Sequence, residues 1–209
     1  MEPLVLRVKE LISSEIGKTV ESRIAQFKEM QKNDTEEWFS ELCFCILTAN
    51  SSARLGMKIQ VEIGKNGFLT LSQQELGSRL KALGHRFCER RAEFIVLARS
   101  YIGIKDIVTG HKDEREAREW LAGSVLGIGY KEASHFLRNV GFDNVAILDR
   151  HILRTMKEAQ LITEVPQALT RRKYLDIEQK LEEVGRRAGL TLSKLDLYLW
   201  YMKTGEVLK

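Results

Sequence analysis

Lys131 and Asp149 are the residues of this sequence whose types and positions could support covalent catalysis. Lys131 follows the triplet GIG at residues 127–129, and Asp149 follows the apolar run VAIL at residues 145–148. A free lysine amine can attack an electrophilic carbon and form a Schiff base, and an aspartate can accept a proton or stabilise a developing cation. The pair therefore suggests an amine nucleophile assisted by a carboxylate.

The residues around Lys131 predict a helix-hairpin-helix over about 117–141. In VLGIGYKEASHFLRNVG, the first helix should end near Val125, and the second should begin at Tyr130 or Lys131 and close at Gly141. The free amides of the second helix, together with the positive end of its dipole, would bind phosphate whatever the base sequence. Because a single GxG is a weak signal, an ordinary helical turn is the alternative.

Gly127 and Gly129 are the predicted contacts of this hairpin with a nucleic-acid backbone. Both glycines permit positive φ and a close approach of the backbone to a ligand, while Ile128 can anchor the turn in the core. A hairpin of this kind, taken alone, would only be a binding module.

Lys131 and Asp149 also allow simpler interpretations. A lysine in the first turn of a helix opposes the helix dipole, which indicates a functional reason for its position, but pairing with a phosphate would be reason enough. Asp149 precedes an apparent helix start at Arg150, where aspartate is a common N-cap. A capping carboxylate could also assist Lys131, so both roles of Asp149 stay open.

Most of the chain has the apolar spacing of helices, and only two prolines interrupt it, which predicts an all-α fold. A first helix should span roughly Leu4 to Gln31. Three helix starts carry capping signals: Asp34-x-x-Glu37, Ser72-x-x-Glu75 and Ser193-x-x-Asp196. Four glycines suit helix ends or turns: Gly64, Gly84, Gly141 and Gly205.

The composition is that of an ordinary soluble protein with a sizeable core. The chain has 209 residues, 44% of them hydrophobic, and a net charge of +4, which permits a polyanionic partner without requiring one. Three cysteines, Cys43, Cys45 and Cys88, suit buried thiols in a reducing compartment, and their spacing argues against a zinc or iron–sulfur site. Charges break the apolar residues of the N-terminal segment, so we expect a cytoplasmic protein with no membrane association.

The run from Gly127 to Asp149 resembles the helix-hairpin-helix and aspartate signature of the base-excision DNA glycosylase superfamily. Within it, nearly all 209 residues resemble the archaeal-type 8-oxoguanine DNA glycosylase/AP lyases. The segment before Asp149 lacks the proline that names the superfamily, and this subgroup is recognisable without it. The stretches that carry the likeness are LCFCILTANSSA, GHRFCERRAEFIVLAR, GIGYKEASHFLRNVG, AILDRHILR and LDLYLWYMKTGEVLK.

The resemblance implies that Lys131 attacks the sugar C1′, displaces the base and forms a Schiff base that allows β-elimination, with Asp149 assisting. No metal or organic cofactor is implied, and no cysteine follows Cys88, unlike the related endonuclease III enzymes with their iron–sulfur cluster. The expected partner is double-stranded DNA containing 8-oxoguanine or an abasic site. The protein should be a monomer associated with the nucleoid through its DNA.

The expected architecture is two helical lobes with a DNA-binding cleft between them. Residues 33–148 would form a central lobe that contains the helix-hairpin-helix, and residues 1–32 with 149–209 would form the second lobe from the terminal helices.

A glycosylase must extrude its target base, so it needs a flat pocket and a side chain to fill the gap. The resemblance places Phe87 and Trp200 on either side of the extruded base and associates the terminal Lys209 with lesion recognition. It matches Asn50 to a residue inserted into the duplex gap. Two ordinary core aromatics, a solvated terminus and a helix C-cap are the respective alternatives.

Several basic side chains could contact phosphates, although a surface arginine is most often only a solvated charge. His135, one turn beyond Lys131, is better explained as a packed structural histidine. The candidate phosphate contacts are Arg86, Arg90, Arg91, Arg150 and Arg154.

Three other functions remain as alternatives. An oxidised-pyrimidine glycosylase/AP lyase would use the same lysine and aspartate, and a non-catalytic helix-hairpin-helix module would only bind DNA. A general helical interaction protein would leave the position of Lys131 unexplained.

Overall fold

The computed structural model describes all 209 residues, and its regular elements are helices only, which confirms the all-α prediction. We number the twelve α-helices in chain order. They are α1 (Glu2–Ile12), α2 (Glu15–Met30), α3 (Thr35–Thr48), α4 (Ala53–Thr70), α5 (Gln73–Ala82), α6 (Cys88–Ala98), α7 (Ile104–Thr109), α8 (Glu114–Ser124), α9 (Tyr130–Asn139), α10 (Arg150–Glu158), α11 (Arg171–Ala188) and α12 (Leu192–Thr204).

The chain divides into two compact units. One unit consists of Met1–Glu29 and Gly141–Lys209, and the other consists of Met30–Val140. The sequence analysis assigns residues 141–148 to the central lobe. In the structure these residues belong to the unit that contains the N- and C-terminal helices.

The core of the Met30–Val140 unit is built on α3. Every residue of α3 from Trp38 to Thr48 is buried, because α4, α6, α7 and α9 all pack against this helix. Cys43 and Cys45 lie inside this core, whereas Cys88 is only partly buried. Burial raises the pKa of the Cys43 thiol well above its usual value, so this thiol is a core side chain without reactivity.

Two of the three predicted capping signals are confirmed. The Asp34 carboxylate accepts a hydrogen bond from the Glu37 amide at the start of α3, and Ser72 forms a reciprocal capping box with Glu75 at the start of α5. The third signal is wrong: Thr191 caps α12, and the Ser193 hydroxyl donates to the Phe142 carbonyl.

The long first helix predicted from Leu4 to Gln31 is broken into α1 and α2 at Ser13 and Ser14. The Ser14 hydroxyl donates to the Leu11 carbonyl and accepts from the Ile16 amide, so the side chain competes with the helical ladder. The chain turns so tightly here that a Cβ on Gly17 would lie 2.1 Å from the Ile12 carbonyl oxygen. The four glycines expected at ends or turns, Gly64, Gly84, Gly141 and Gly205, all have positive φ, and Gly64 forms a kink within α4.

Candidate active site

The predicted helix-hairpin-helix is formed by α8 and α9. Gly127 has a φ of 86°, and a Cβ at this position would meet the Phe94 ring at 2.4 Å, so both conformation and space require glycine. Ile128 is only 5% exposed and anchors the turn as expected. Gly129 does not use the positive φ that glycine permits, because its φ of −101° is extended backbone that any residue adopts.

A partly buried polar cluster fixes the start of α9 against α8. The Tyr130 hydroxyl donates a hydrogen bond to the Glu119 carboxylate. The fully buried Arg118 lies with its guanidinium carbon 5.4 Å from the centre of the Tyr130 ring, and its Nη1 is 3.4 Å from the Ser134 hydroxyl. Because Tyr130 is the first residue of α9, these contacts also orient the backbone that carries Lys131. The sequence did not identify this cluster.

Lys131 is the second residue of α9, and its side chain is 25% exposed. Its Nζ lies 3.8 Å from an Oε1 of Glu132, whose side chain is more buried. Sequence reasoning missed Glu132, although an acidic neighbour of a candidate nucleophile is a visible signal. His135 is buried edge-on to the Phe44 ring at 5.5 Å, which confirms its packed role. Lys131 thus combines a fixed backbone with a partly accessible amine.

Asp149 stands at the N-cap of α10. Its Oδ1 accepts a hydrogen bond of 2.8 Å from the Ile152 amide, so the simpler interpretation of Asp149 is confirmed. The carboxylate keeps a second oxygen, and the residue is partly exposed. Capping therefore leaves acceptor capacity for another partner.

Two buried side chains of α11 hold the apolar segment 145–148 that leads into Asp149. Glu178 accepts from the Ala146 amide at 2.7 Å. The Tyr174 hydroxyl donates to the Ala146 carbonyl at 2.6 Å and accepts from the Leu148 amide at 3.3 Å. The segment before Asp149 is buried and has no regular secondary structure, so these hydrogen bonds replace those that a sheet or helix would provide.

Phe87 and Asn50 occupy neighbouring turns of the Met30–Val140 unit. Phe87 precedes α6 and is 39% exposed, so it is not a core aromatic. Asn50 follows α3 in a left-handed conformation with a φ of 59°, and it is exposed. Arg86 touches both residues, since its Nη2 donates to the Asn50 carbonyl at 3.3 Å and its guanidinium carbon is 4.6 Å from the Phe87 ring centre.

The candidate phosphate contacts divide by burial. Arg91 is only 7% exposed, and its Nη2 donates to the Ala49 carbonyl at 2.6 Å, so its assignment as a phosphate contact is corrected. The other four candidates are exposed: Arg86, Arg90, Arg150 and Arg154.

Trp200 lies near the end of α12 and is partly buried. The edge of the His151 ring approaches it with ring centres 4.8 Å apart, and its indole Nε1 is buried without a hydrogen-bond acceptor. Residues 206–209 after α12 are partly buried, and the Val207 carbonyl accepts from Arg23 at 3.5 Å. The terminus is therefore held against its own unit.

The structure contains no cluster of three or more histidine, cysteine, aspartate or glutamate side chains placed to bind a metal ion. None of its helices combines the length and apolarity needed to cross a bilayer.

An all-helical chain that presents a partly buried lysine on the second helix of a helix-hairpin-helix has the features of the helix-hairpin-helix DNA glycosylases. The family model described as Ogg-HhH, 8-oxoguanine DNA glycosylase, matches residues 20–190, and the chain belongs to this family.

Similar proteins match the chain from end to end. It is 56% identical to the 8-oxoguanine DNA glycosylase/AP lyase of Methanocaldococcus jannaschii, with 99% of each chain covered. It is 50% identical to the protein of the same name from Korarchaeum cryptofilum, covering 100% of this chain and 99% of the relative. The crystal structure of the M. jannaschii glycosylase/lyase in complex with DNA containing 8-oxoguanine superposes with a TM-score of 0.97 at 56% identity, covering 99% of both chains.

Proposed function

We propose that this protein excises 8-oxoguanine from double-stranded DNA and cleaves the strand at the resulting site, with Lys131 as the nucleophile and Asp149 as the assisting carboxylate. The observation that carries the proposal is the partly accessible Lys131 amine on the second residue of α9, in a chain of this family. A lysine at this end of a helix opposes the dipole, so a catalytic role explains a position that stability does not.

The chemistry divides into two linked steps. The Lys131 amine attacks C1′ of the sugar, the bond from C1′ to the base breaks, and the base leaves with its electron pair. The sugar ring opens to a Schiff base on Lys131, loss of a proton from C2′ expels the 3′ phosphate, and water releases the lysine. Asp149 stabilises the positive charge that develops on the sugar and accepts the proton that the amine loses.

Lesion recognition is assigned to Phe87, Trp200 and the C-terminal segment ending at Lys209. An exposed Phe87 ring and a partly buried Trp200 ring supply the flat surfaces that an extruded purine requires. 8-Oxoguanine carries an N7–H where guanine carries an acceptor, so a protein acceptor facing N7 would discriminate between them. The partly buried backbone carbonyls near Lys209 are candidates for that acceptor.

Contacts with the rest of the duplex are assigned to exposed groups. Asn50 fills the space that the extruded base leaves, since its turn projects it into solvent. Gly127, Gly129 and the first amides of α9 bind a phosphate, and further phosphates meet the exposed arginines Arg86, Arg90, Arg150 and Arg154. A protein acting in this way is expected to be a monomer that associates with the nucleoid through its substrate.

Borohydride trapping tests the proposal. Wild type, Lys131→Gln and Asp149→Asn are incubated with a duplex that contains one 8-oxoguanine and with the undamaged duplex, and the covalent adduct is measured on a denaturing gel. We expect a lesion-dependent adduct with wild type and none with Lys131→Gln, because only a primary amine forms the reducible Schiff base. Lys131→Gln should still bind the lesion duplex.

Two other results would contradict the proposal in different ways. Adduct formation only on a duplex with an oxidised pyrimidine would keep the lysine chemistry and reject the assignment of the base pocket. Tight, salt-sensitive binding with no adduct on any damaged duplex would indicate a DNA-binding module without catalysis.

A further inference from the structure

The C-terminal end of α3 has an unusual set of hydrogen-bond donors. The last carbonyls of a helix lack partners within the helix and are usually satisfied by the following turn or by water. Here side chains of the segment His85 to Arg91 take that place. His85 reaches the Leu47 carbonyl at 2.9 Å, Arg91 reaches that of Ala49 at 2.6 Å, and Arg86 reaches that of Asn50 at 3.3 Å.

His85 is the centre of this arrangement. It is 3% exposed, and its Nδ1 accepts a hydrogen bond of 3.2 Å from the Phe87 amide. Nδ1 must therefore be unprotonated, so the proton of the neutral ring is on Nε2, which donates to the Leu47 carbonyl. Burial lowers the pKa of the imidazole and keeps it in this neutral form. One ring thus joins the turn that carries Phe87 to the helix end that carries Asn50.

Arg91 makes the second link between the same two turns. It lies on α6, directly after the Phe87 turn, and its buried guanidinium donates to the Ala49 carbonyl. Burial lowers the pKa of Arg91, which reflects the unfavourable transfer of its charge from water. The charge of Glu132 opposes this shift, so the buried guanidinium is partly compensated.

Asn50 closes the same helix end. Its φ of 59° lies in the left-handed region, which asparagine adopts more readily than other non-glycine residues and which is common directly after a helix C-terminus. The turn that carries Asn50 is therefore set by its own backbone and by the side-chain donors of His85, Arg86 and Arg91.

We propose that His85 and Arg91 are positioning residues that hold Asn50 and Phe87 as one rigid unit, so that filling of the duplex gap and contact with the extruded base occur together. This inference rests on the proposed function, because it takes from there the roles of Asn50 and Phe87. The new element is that Asn50 and Phe87 are not placed independently. The hydrogen bonds of His85 and Arg91 each fix the turn of Phe87 relative to the turn of Asn50.

Two variants of His85 break the two links separately. In His85→Gln, the amide nitrogen takes the place of Nε2 and still donates to the Leu47 carbonyl, while the acceptor for the Phe87 amide is lost. In His85→Asn, the amide oxygen takes the place of Nδ1 and still accepts from the Phe87 amide, while the donor to Leu47 is lost. Each substitution removes one buried hydrogen bond and should slow single-turnover excision of 8-oxoguanine about tenfold.

Double-mutant cycles then separate positioning from general stability. If His85 acts through Phe87, His85→Gln should slow excision by no more than about twofold when Phe87→Ala is already present. If His85 also acts through the α3 end, His85→Asn should lose its effect in the same way when Asn50→Ala is present. A residue that only stabilised the unit would slow excision by the same factor in both backgrounds.

The outcomes distinguish this inference from the proposed function on which it rests. Wild type is first tested for a borohydride adduct on a duplex with a preformed abasic site, which needs Lys131 but no extruded base. Absence of this adduct would overturn the proposed function. An adduct accompanied by multiplicative effects in the cycles, or by excision at the wild-type rate in both His85 variants, would overturn the positioning role alone.

Discussion

The Asp149 carboxylate carries a structural role and a proposed chemical role on the same group, and substitution can separate them. It caps α10 through the Ile152 amide. Asparagine caps a helix about as well as aspartate, so Asp149→Asn should change the free energy of unfolding by less than about 0.5 kcal/mol, whereas Asp149→Ala should lower it by about 1 kcal/mol. Both variants should lose most of the borohydride adduct, because neither has a carboxylate.

Urea denaturation gives the stabilities, and trapping on the 8-oxoguanine duplex gives the chemistry. If Asp149→Asn formed the adduct at the wild-type rate while Asp149→Ala did not, loss of the cap would explain the defect. Asp149 would then be a structural residue only.

At the scale of elements, the hairpin between α8 and α9 depends on Gly127. An alanine there must adopt a φ of 86° and place its Cβ 2.4 Å from the Phe94 ring. The conformation costs about 1 kcal/mol, and displacement of the ring adds about 1–3 kcal/mol. We expect Gly127→Ala to lower the free energy of unfolding by about 2–4 kcal/mol, measured by urea denaturation, and to weaken DNA binding.

Gly123 provides the matched control within the same hairpin. It lies in α8, and a Cβ there would meet no atom within 4 Å. Alanine inside a helix is more stable than glycine by about 0.5–1 kcal/mol, so Gly123→Ala should stabilise the protein. Equal stability of the two variants would show that the hairpin turn does not need glycine at 127.

The hairpin, the caps and the all-α fold could be predicted because each depends on residues close together in the sequence. Asp34 and Glu37, or Ser72 and Glu75, determine a helix start within one turn. Ser193 shows the limit of such signals: its hydroxyl bonds to the Phe142 carbonyl, far away in sequence, which leaves Thr191 to cap α12.

In the candidate site, too, features that depend on neighbouring residues could be predicted, whereas contacts between distant segments could not. Lys131 and Asp149 carry recognisable local patterns. The links of His85 to Leu47 and of Arg91 to Ala49 join segments about forty residues apart. No spacing rule connects such residues, because the packing of α6 against α3 brings them together. Sequence alone therefore predicts a phosphate contact at Arg91, although its guanidinium donates to the Ala49 carbonyl inside the protein.

At the scale of the whole molecule, stability should fall in two stages as the pH is lowered. Burial, reinforced by repulsion from Arg91 and Arg86, lowers the pKa of His85 below its usual 6.5. The unfolded chain then binds a proton that the folded chain does not. The contribution of neutral His85 to stability is therefore fully present above about pH 6.5 and declines as the pH falls towards the pKa of His85 in the folded protein.

Carboxylates produce the second stage. Hydrogen bonds from Arg186 and Arg187 lower the pKa of Glu183 to about 2, and helix capping lowers the pKa of Asp34 and Asp113. Their contributions to stability are present above the unfolded pKa values of 3.8 to 4.5 and are lost as the pH falls towards about 2.

Thermal unfolding midpoints measured between pH 8 and pH 3 should therefore show a shallow decline below about 6.5 and a steeper one below about 4.5. His85→Gln should remove the shallow decline and leave the steeper one. A shallow decline that persisted in His85→Gln would assign it to another group, such as the buried His135.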